Sequence, residues 1–464
     1  MNKIATTSTG KTSGFVSTRN ACKLCAPLGG CIAFRGVAGC VPLVHGSQGC
    51  ACYIRRYLIS HFREPMDIAS SNFTEDTTVF GGAMNLKTAL ENINSQYHPE
   101  LIGVCTTCLS ETIGEDVPQM LKIIETETTG SMNLPALVAA STPSYQGTHI
   151  DGFREAVYSL VRRFSYKPFL PESQDAVNLF PGLWSPADLR HLKEVLSLFG
   201  LRYTLLPDYS ETLDNPVWDD YKRIPDGGTP LQAIRNMGGA RISVEFGGLP
   251  SSGATQGYHS AASYLEHQFG VKREVMPSSI GIDQTDRLMK ILEQISGRET
   301  PKSLTQERGR LVDSYIDGHK YVFGKRVVIY GDEDMVAGMV SFLQEIGMKV
   351  ILAASGTEKK NMERALSFIS DESLPVAADA DFEEIKAFCR ENRPDLIIGN
   401  SKGYNLAREA GIPLVRIGFP VHDRIGAQRI LHIGYKGAQH LFDTIVNTLL
   451  QQKQDASPVG YKYL

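Results

Sequence analysis

Eight of the chain's nine cysteines fall within its first 108 residues. Three of them close short Gly/Pro- or Thr-rich turns: Cys25 in C-A-P-L-G-G, Cys50 in V-H-G-S-Q-G-C and Cys108 in C-T-T-C. A packed core does not concentrate thiols in this way, whereas an iron–sulfur site does, because thiolates hold such clusters, normally four to a cubane. Gly46 and Gly49 let main-chain N–H groups approach an inorganic sulfide. Cys108 follows an apolar strand and opens a helix, at the strand end where α/β folds place ligands and where open amides stabilise an anion. Three cysteines do not close a four-ligand site, so a partner chain is expected to supply the rest at a subunit interface. Ser144, on the tight turn T-P-S-Y, is a candidate oxygen ligand.

Other thiol chemistries compete. Cys22/Cys25 and Cys105/Cys108 are C-x-x-C pairs, and two such pairs form a zinc-site pattern. Their separation far exceeds the roughly 15–20 residues of a compact zinc ribbon, and Cys50 is left out. Neither pair combines the short helix-opening context with the nearby buried proline expected of a thioredoxin-like redox motif. An odd number of cysteines in a long chain with no apolar leader argues against a disulfide framework. Cys31, Cys40, Cys52, Cys105 and Cys389 read as buried small hydrophobes, and Cys22 stays undecided.

Elements that position these residues alternate along the chain as short β-rich runs and amphipathic helices, the pattern of parallel sheets covered on both faces. Strands are expected at Leu101–Cys105, Asp175–Phe180, Arg202–Leu206, Lys325–Tyr330, Lys349–Ala353, Asp395–Gly399 and Pro413–Ile417. Ser185-Pro186-Ala187-Asp188 supplies an N-cap, a first-turn proline and an acid for a helix running to Gly200. Further helices are expected over Asp334–Ile346, Tyr404–Ala410 and Gly437–Leu450, with a loose tail after Gln452. At 464 residues the chain exceeds one core. Linkers near Lys167–Ser173 and Gly297–Thr305 divide it into α/β domains at 1–168, which carries the cluster cysteines, 169–302 and 303–464.

Composition narrows the partners. Forty-seven basic against 51 acidic residues leave a net charge of −4, which gives no electrostatic case for nucleic acid or an anionic membrane. No apolar run reaches the roughly 18 residues of a membrane span, and a cytoplasmic protein is expected. Gly10-Lys11-Thr12 lacks the earlier glycine of a P-loop. His45 is expected to hydrogen-bond within its turn. Arg55, Arg56, Arg63 and Glu64 read as a solvated helix face available for subunit contacts. Glu75-Asp76 and Glu115-Asp116 read as surface or helix-start acids, and Gly331-Asp332-Glu333-Asp334 as a bare strand–turn–helix junction.

The ordered motifs resemble the β-type (K-type) subunit of nitrogenase component 1 over nearly the whole length. They are C-A-P-L-G (25–29), V-H-G-S-Q-G-C (44–50), H-F-R-E-P (61–65), F-T-E-D-T-T-V-F-G-G (73–82), T-T-C-L-S-E-T-I-G-E-D (106–116) and T-P-S-Y-Q-G-T-H (142–149). E-R-G-R-L-V-D (307–313), G-K-R (324–326), I-G-N-S-K-G (398–403) and V-R-I-G-F-P-V-H-D-R (415–424) follow. The resemblance implies three Rossmann-like domains in an α2β2 heterotetramer with a homologous α-type subunit. It implies an eight-iron P-cluster between the subunits, with Cys25, Cys50 and Cys108 as this chain's ligands and Ser144 at the redox-dependent serine position. A homodimeric ATP-dependent iron protein would deliver electrons, relayed to an active-site cluster in the partner.

Within the family, C-A-P in place of C-Q-P, H-G-S-Q-G-C and the short N-terminus point toward a nitrogenase-like reductase, with methylthio-alkane reductase the preferred branch over dinitrogen reduction. The alternative is the N-type subunit of the cofactor-assembly scaffold, with a 4Fe-4S interface cluster. In that paralogue the first and third cysteine positions are commonly lost, and here all three are present.

Overall fold

The computed structural model describes residues 20–128, 134–168, 176–247, 260–369 and 374–460. Three sheets, each wholly parallel, follow one another along the sequence. The Gly10-Lys11-Thr12 segment and most of the linker expected at 167–173 lie outside the described residues.

The first sheet has the order β2-β1-β3-β4, from β1 (Cys40–His45), β2 (Ala69–Ser70), β3 (Leu101–Thr106) and β4 (Ala136–Ala140). Around it lie α1 (Ala26–Arg35), α2 (Gln48–Phe62), α3 (Glu75–Phe80), α4 (Ala83–Tyr97), α5 (Cys108–Thr112), α6 (Val117–Thr128) and α7 (His149–Phe164). Every residue of β1 and β3 is buried, which is why both read as continuous apolar runs rather than alternating ones.

The second sheet, β6-β5-β7-β8, is built from β5 (Ala176–Phe180), β6 (Arg202–Leu205), β7 (Ile242–Phe246) and β8 (Lys272–Met276). Its helices are α8 (Pro186–Leu198), α9 (Leu231–Asn236), α10 (Ala261–Phe269) and α11 (Gly281–Ser296). Ser185 opens α8 with a reciprocal cap: its Oγ accepts from Asp188 N–H at 3.0 Å and its own N–H donates to Asp188 Oδ2 at 3.1 Å.

The third sheet, β11-β10-β9-β12-β13, comprises β9 (Arg326–Tyr330), β10 (Lys349–Ala354), β11 (Val376–Ala377), β12 (Leu396–Gly399) and β13 (Leu414–Arg416). Its helices are α12 (Lys302–Val322), α13 (Glu333–Glu345), α14 (Lys359–Ala365), α15 (Phe382–Asn392), α16 (Tyr404–Ala410) and α17 (Gly434–Asp455). Two expectations need correcting here. Gly297, at φ +69°, caps α11, and α12 already starts at Lys302, so the linker expected to Thr305 is shorter. Helix α17 runs past Gln452 to Asp455 because its apolar stripe continues through Leu449 and Leu450 onto the core.

In all three sheets the first strand is central, flanked by its second and third or fourth strands. The chain therefore leaves adjacent central strands toward opposite faces and opens a crevice at their C-terminal ends. In the first sheet that crevice lies between the loops after β1 and β3, and these loops carry Cys50 and Cys108.

Candidate metal centre

Cys50 sits in the first turn of α2, behind the N-cap Ser47, whose Oγ lies 3.8 Å from Cys50 Sγ. Cys108 is the first residue of α5. Its N-cap, Thr107, forms a reciprocal cap with Ser110 and donates its hydroxyl to His45 O at 3.0 Å. That bond ties the end of β3 to the end of β1. A Cβ on Gly46 would fall 2.4 Å from Thr107 Oγ1, so only glycine allows the two loops to come this close.

Cys25 arrives from another direction. It is the N-cap of α1, and α1 is pressed against α7 at a crossing that tolerates no side chain: a Cβ on Gly29 would stand 1.7 Å from His149 O, and one on Gly152 1.9 Å from Ala26 O. Upstream, the chain is clamped by the third sheet. Asn20 N–H donates to Asp381 Oδ2 at 2.8 Å, Cys22 N–H to Ala380 O at 2.9 Å and Gly356 N–H to Cys22 O at 3.1 Å. The first and third sheets thus both shape the site.

Ser144 joins the cysteines. Its N–H donates to Cys108 Sγ at 3.2 Å and its hydroxyl accepts from Ala26 N–H at 3.1 Å. Burial raises the pKa of the Cys25 thiol, a hydrogen bond with the Ser144 hydroxyl opposes that rise, and the neighbouring Cys108 and Cys50 thiols add to it. Ser144 bridges Cys108 to the start of α1, and the Thr107–His45 bond draws the loops of Cys108 and Cys50 together, so the three thiols face one crevice. Cys25 and Cys50 are half-buried and Cys108 is exposed, so the locus opens to the surface. Three thiols on one open edge, with helix first turns behind them, suit an anionic group held jointly with another chain. Among the described residues no three His, Cys, Asp or Glu side chains converge on a single metal ion.

The remaining cysteines are distributed by packing. Cys31, Cys40, Cys105 and Cys389 are buried, and burial pushes the Cys40 thiol up to about 12 and the Cys389 thiol up to about 11. Cys22, undecided from sequence, is buried in the third-sheet core beside Tyr330 and Phe382, with its thiol pushed up to about 12 by burial. Cys105 turns inward toward Cys31 and Gly30, so the two C-x-x-C pairs do not come together. Cys52 contradicts expectation. It is exposed, because two residues beyond Cys50 on α2 lies on the outer face of that helix.

His45 and Glu115 also depart from the sequence reading. His45 bonds outside its own turn, with Nδ1 3.0 Å from Ser71 Oγ and Nε2 2.6 Å from Glu115 Oε2. The Glu115 side chain is 4% exposed, a buried brace rather than a surface acid, and its other oxygen accepts from Gly82 N–H. Burial lowers the His45 pKa and Glu115 opposes the shift. This brace connects V-H-G-S-Q-G-C, F-T-E-D-T-T-V-F-G-G and T-T-C-L-S-E-T-I-G-E-D around the Cys50–Cys108 crevice. By contrast, Glu75 and Asp76 are exposed in the first turn of α3. Arg55 and Arg56 are exposed on α2, while Arg63 and Glu64 lie beyond its end.

The junction after β9 holds more than a bare turn. Asp332, Glu333 and Asp334 are buried, and Arg154 on α7 donates to Glu333 Oε1 at 3.0 Å and to Asp334 Oδ2 at 2.6 Å. Burial raises both of these carboxyl pKa values against the pull of Arg154.

Comparison with known proteins agrees with this architecture. The family model for nitrogenase component 1 type oxidoreductases matches residues 25–450. The nitrogenase molybdenum-iron protein beta chain of Clostridium pasteurianum is 36% identical over 438 residues, covering 93% of each chain. That of Azotobacter vinelandii is 34% identical over 453 residues, covering 94% of this chain and 84% of its own. A solved structure of nitrogenase Cp1 at pH 6.5 superposes with a TM-score of 0.90 at 33% identity, covering 98% of each chain. The match runs through every sheet described above, and the chain belongs to the nitrogenase component 1 type oxidoreductase family as a β-type subunit.

Proposed function

We propose that Cys25, Cys50 and Cys108 are this chain's thiolate ligands to an iron–sulfur cluster shared with a homologous α-type subunit in an α2β2 heterotetramer. The observation that carries this is the meeting of all three thiols with Ser144 at one surface-open crevice. The family implies iron–sulfur clusters, and the three-cysteine half-site favours the eight-iron P-cluster type over a four-iron cluster. Such a group supplies reversible electron storage when bound. The protein's part is to present three sulfurs on rigid helix starts, to keep the Ser144 hydroxyl within reach, and to leave the face open for the partner's ligands.

On this reading the chain is the electron-relaying subunit of a cytoplasmic nitrogenase-like reductase. It is served by a homodimeric ATP-dependent iron protein, and bond breaking takes place in the α-type partner. Among the described residues no helix is long and apolar enough to cross a membrane. The division at 1–168, 169–302 and 303–464 is part of the proposal, supported by one parallel sheet within each segment. For the substrate we favour carbon–sulfur cleavage in small organic sulfur compounds, as in methylthio-alkane reductase, on the motif forms C-A-P-L-G and H-G-S-Q-G-C.

The deciding experiment is EPR of the anaerobically co-purified complex, in dithionite and after mild oxidation. An interface cluster silent when reduced, with a multi-electron oxidised signal, supports the relay. A spin-half signal on reduction with no such oxidised state indicates a four-iron cluster, and the chain is then the N-type assembly scaffold. Hydrocarbon release from a methylthio-alkane, set against ammonia from dinitrogen, decides the substrate.

A further inference from the structure

We infer that Lys402 is a positioning residue for the cluster half-site, fixing the segment that leads into Cys25 and placing a cationic side chain on the third-sheet side of it. This inference rests on the cluster reading above.

Lys402 belongs to I-G-N-S-K-G, the loop after β12, at the crevice between the central strands of the third sheet. Its Nζ donates to Ala21 O at 2.5 Å and to Lys23 O at 3.0 Å. Lys23 is two residues from Cys25. The ammonium also lies 5.5 Å from the centre of the Phe382 ring. A lysine mostly withdrawn from water, with two carbonyl partners on one short segment, is a strut and not a solvated surface charge.

The loop that presents Lys402 is itself fixed. Asn400 caps it, accepting from Lys402 N–H at 3.1 Å and donating Nδ2–H to Phe419 O at 3.0 Å, while Tyr330 donates its hydroxyl to Asn400 O at 2.5 Å. Ser401 N–H donates to Pro420 O at 3.0 Å, and the Ser401 hydroxyl to Asp423, which Arg416 holds at 2.7–2.9 Å. I-G-N-S-K-G and V-R-I-G-F-P-V-H-D-R therefore form one scaffold that aims a single ammonium at the Ala21–Lys23 backbone.

Adding an electron to a cluster held there increases its negative charge, so a fixed cation nearby favours the reduced form. The test uses the full chain co-purified anaerobically with its partner and reads iron content and the midpoint potential of the interface cluster by EPR-monitored titration. Lys402→Met should keep its iron and shift the potential negative, with the reduced-to-oxidised ratio falling roughly tenfold at a fixed potential, or about 59 mV for a one-electron couple. Lys402→Arg should restore most of the shift. Should the Met variant fail to assemble, Lys402→Gln keeps an amide donor for the two carbonyls without the charge and should show the same negative shift. An unchanged potential in an iron-replete Met or Gln variant overturns the inference, as does lost iron with an unchanged potential in what remains. Absence of interface iron from the wild-type complex, or full iron in serine variants of Cys25, Cys50 and Cys108, removes the cluster reading itself and this inference with it.

Discussion

The backbone N–H of Ser144 donates to Cys108 Sγ at 3.2 Å, so the serine and the cysteine are in register before any other group is bound. The same residue's hydroxyl accepts from Ala26 N–H, next to Cys25. Ser144→Ala keeps the first bond and loses the second, at a cost of about 1 kcal/mol in stability. The reduced cluster should survive in this variant, with only the oxidised EPR signal altered. Loss of iron in both redox states would contradict a redox-dependent role.

Single serine substitutions at Cys25, Cys50 or Cys108 should each lower interface iron and loosen the assembly, read by metal analysis and analytical ultracentrifugation. Cys389→Ser should leave iron unchanged, since that thiol is buried in the third-sheet core. Full iron in all three site variants would remove the ligand assignment.

The crossing of α1 on α7 sets where Cys25 begins. Gly29→Ala places a methyl 1.7 Å from His149 O, where backbone and not a flexible side-chain end must move. A loss of roughly 3 kcal/mol or more is expected, at or beyond the upper end of ordinary overpacking. It should appear as a lowered unfolding temperature accompanied by weaker iron retention. Normal stability would mean that the helices can separate freely.

Burial, opposed by Arg154, raises the Glu333 carboxyl pKa from near 4.5 to about 8. The folded state therefore keeps a proton that the unfolded chain releases, and the associated stability is present at acid pH and lost as pH climbs through that window. Glu333→Gln, whose amide oxygen still accepts from Arg154, should flatten the fall in unfolding temperature up to about pH 8. A wild-type slope in the variant would show that Glu333 is ionised throughout.

Much of the frame is legible in the amino-acid order. Buried parallel strands announce themselves as apolar runs, and the Ser185–Asp188 cap and the clustered cysteines need no tertiary information. What is hidden is pairing at a distance. Glu115 meets His45 across 70 positions, Glu333 meets Arg154 across 179, and Lys402 reaches Ala21 across 381. Periodicity tells which face a side chain occupies and not which distant group neutralises it, so Glu115 reads as a surface acid from sequence although its side chain is buried. Cys52 differs for a related reason: its type suggests burial, and only its position on the face of α2 opposite Ala51, Ile54 and Leu58 decides otherwise.

Cys50, Cys108 and Ser144 hang from the first sheet, while the approach to Cys25 is anchored by the third. A group gripped by all three sulfurs would therefore be tied to the first sheet directly and to the third sheet through the segment that leads into Cys25. Tightening that grip would raise the work needed to pull the segment before Cys25 away from the third sheet, and by thermodynamic reciprocity such a pull imposed from outside would weaken the grip by the same factor. Strain applied to the third sheet would in that case reach the half-site without touching Cys25, Cys50 or Cys108.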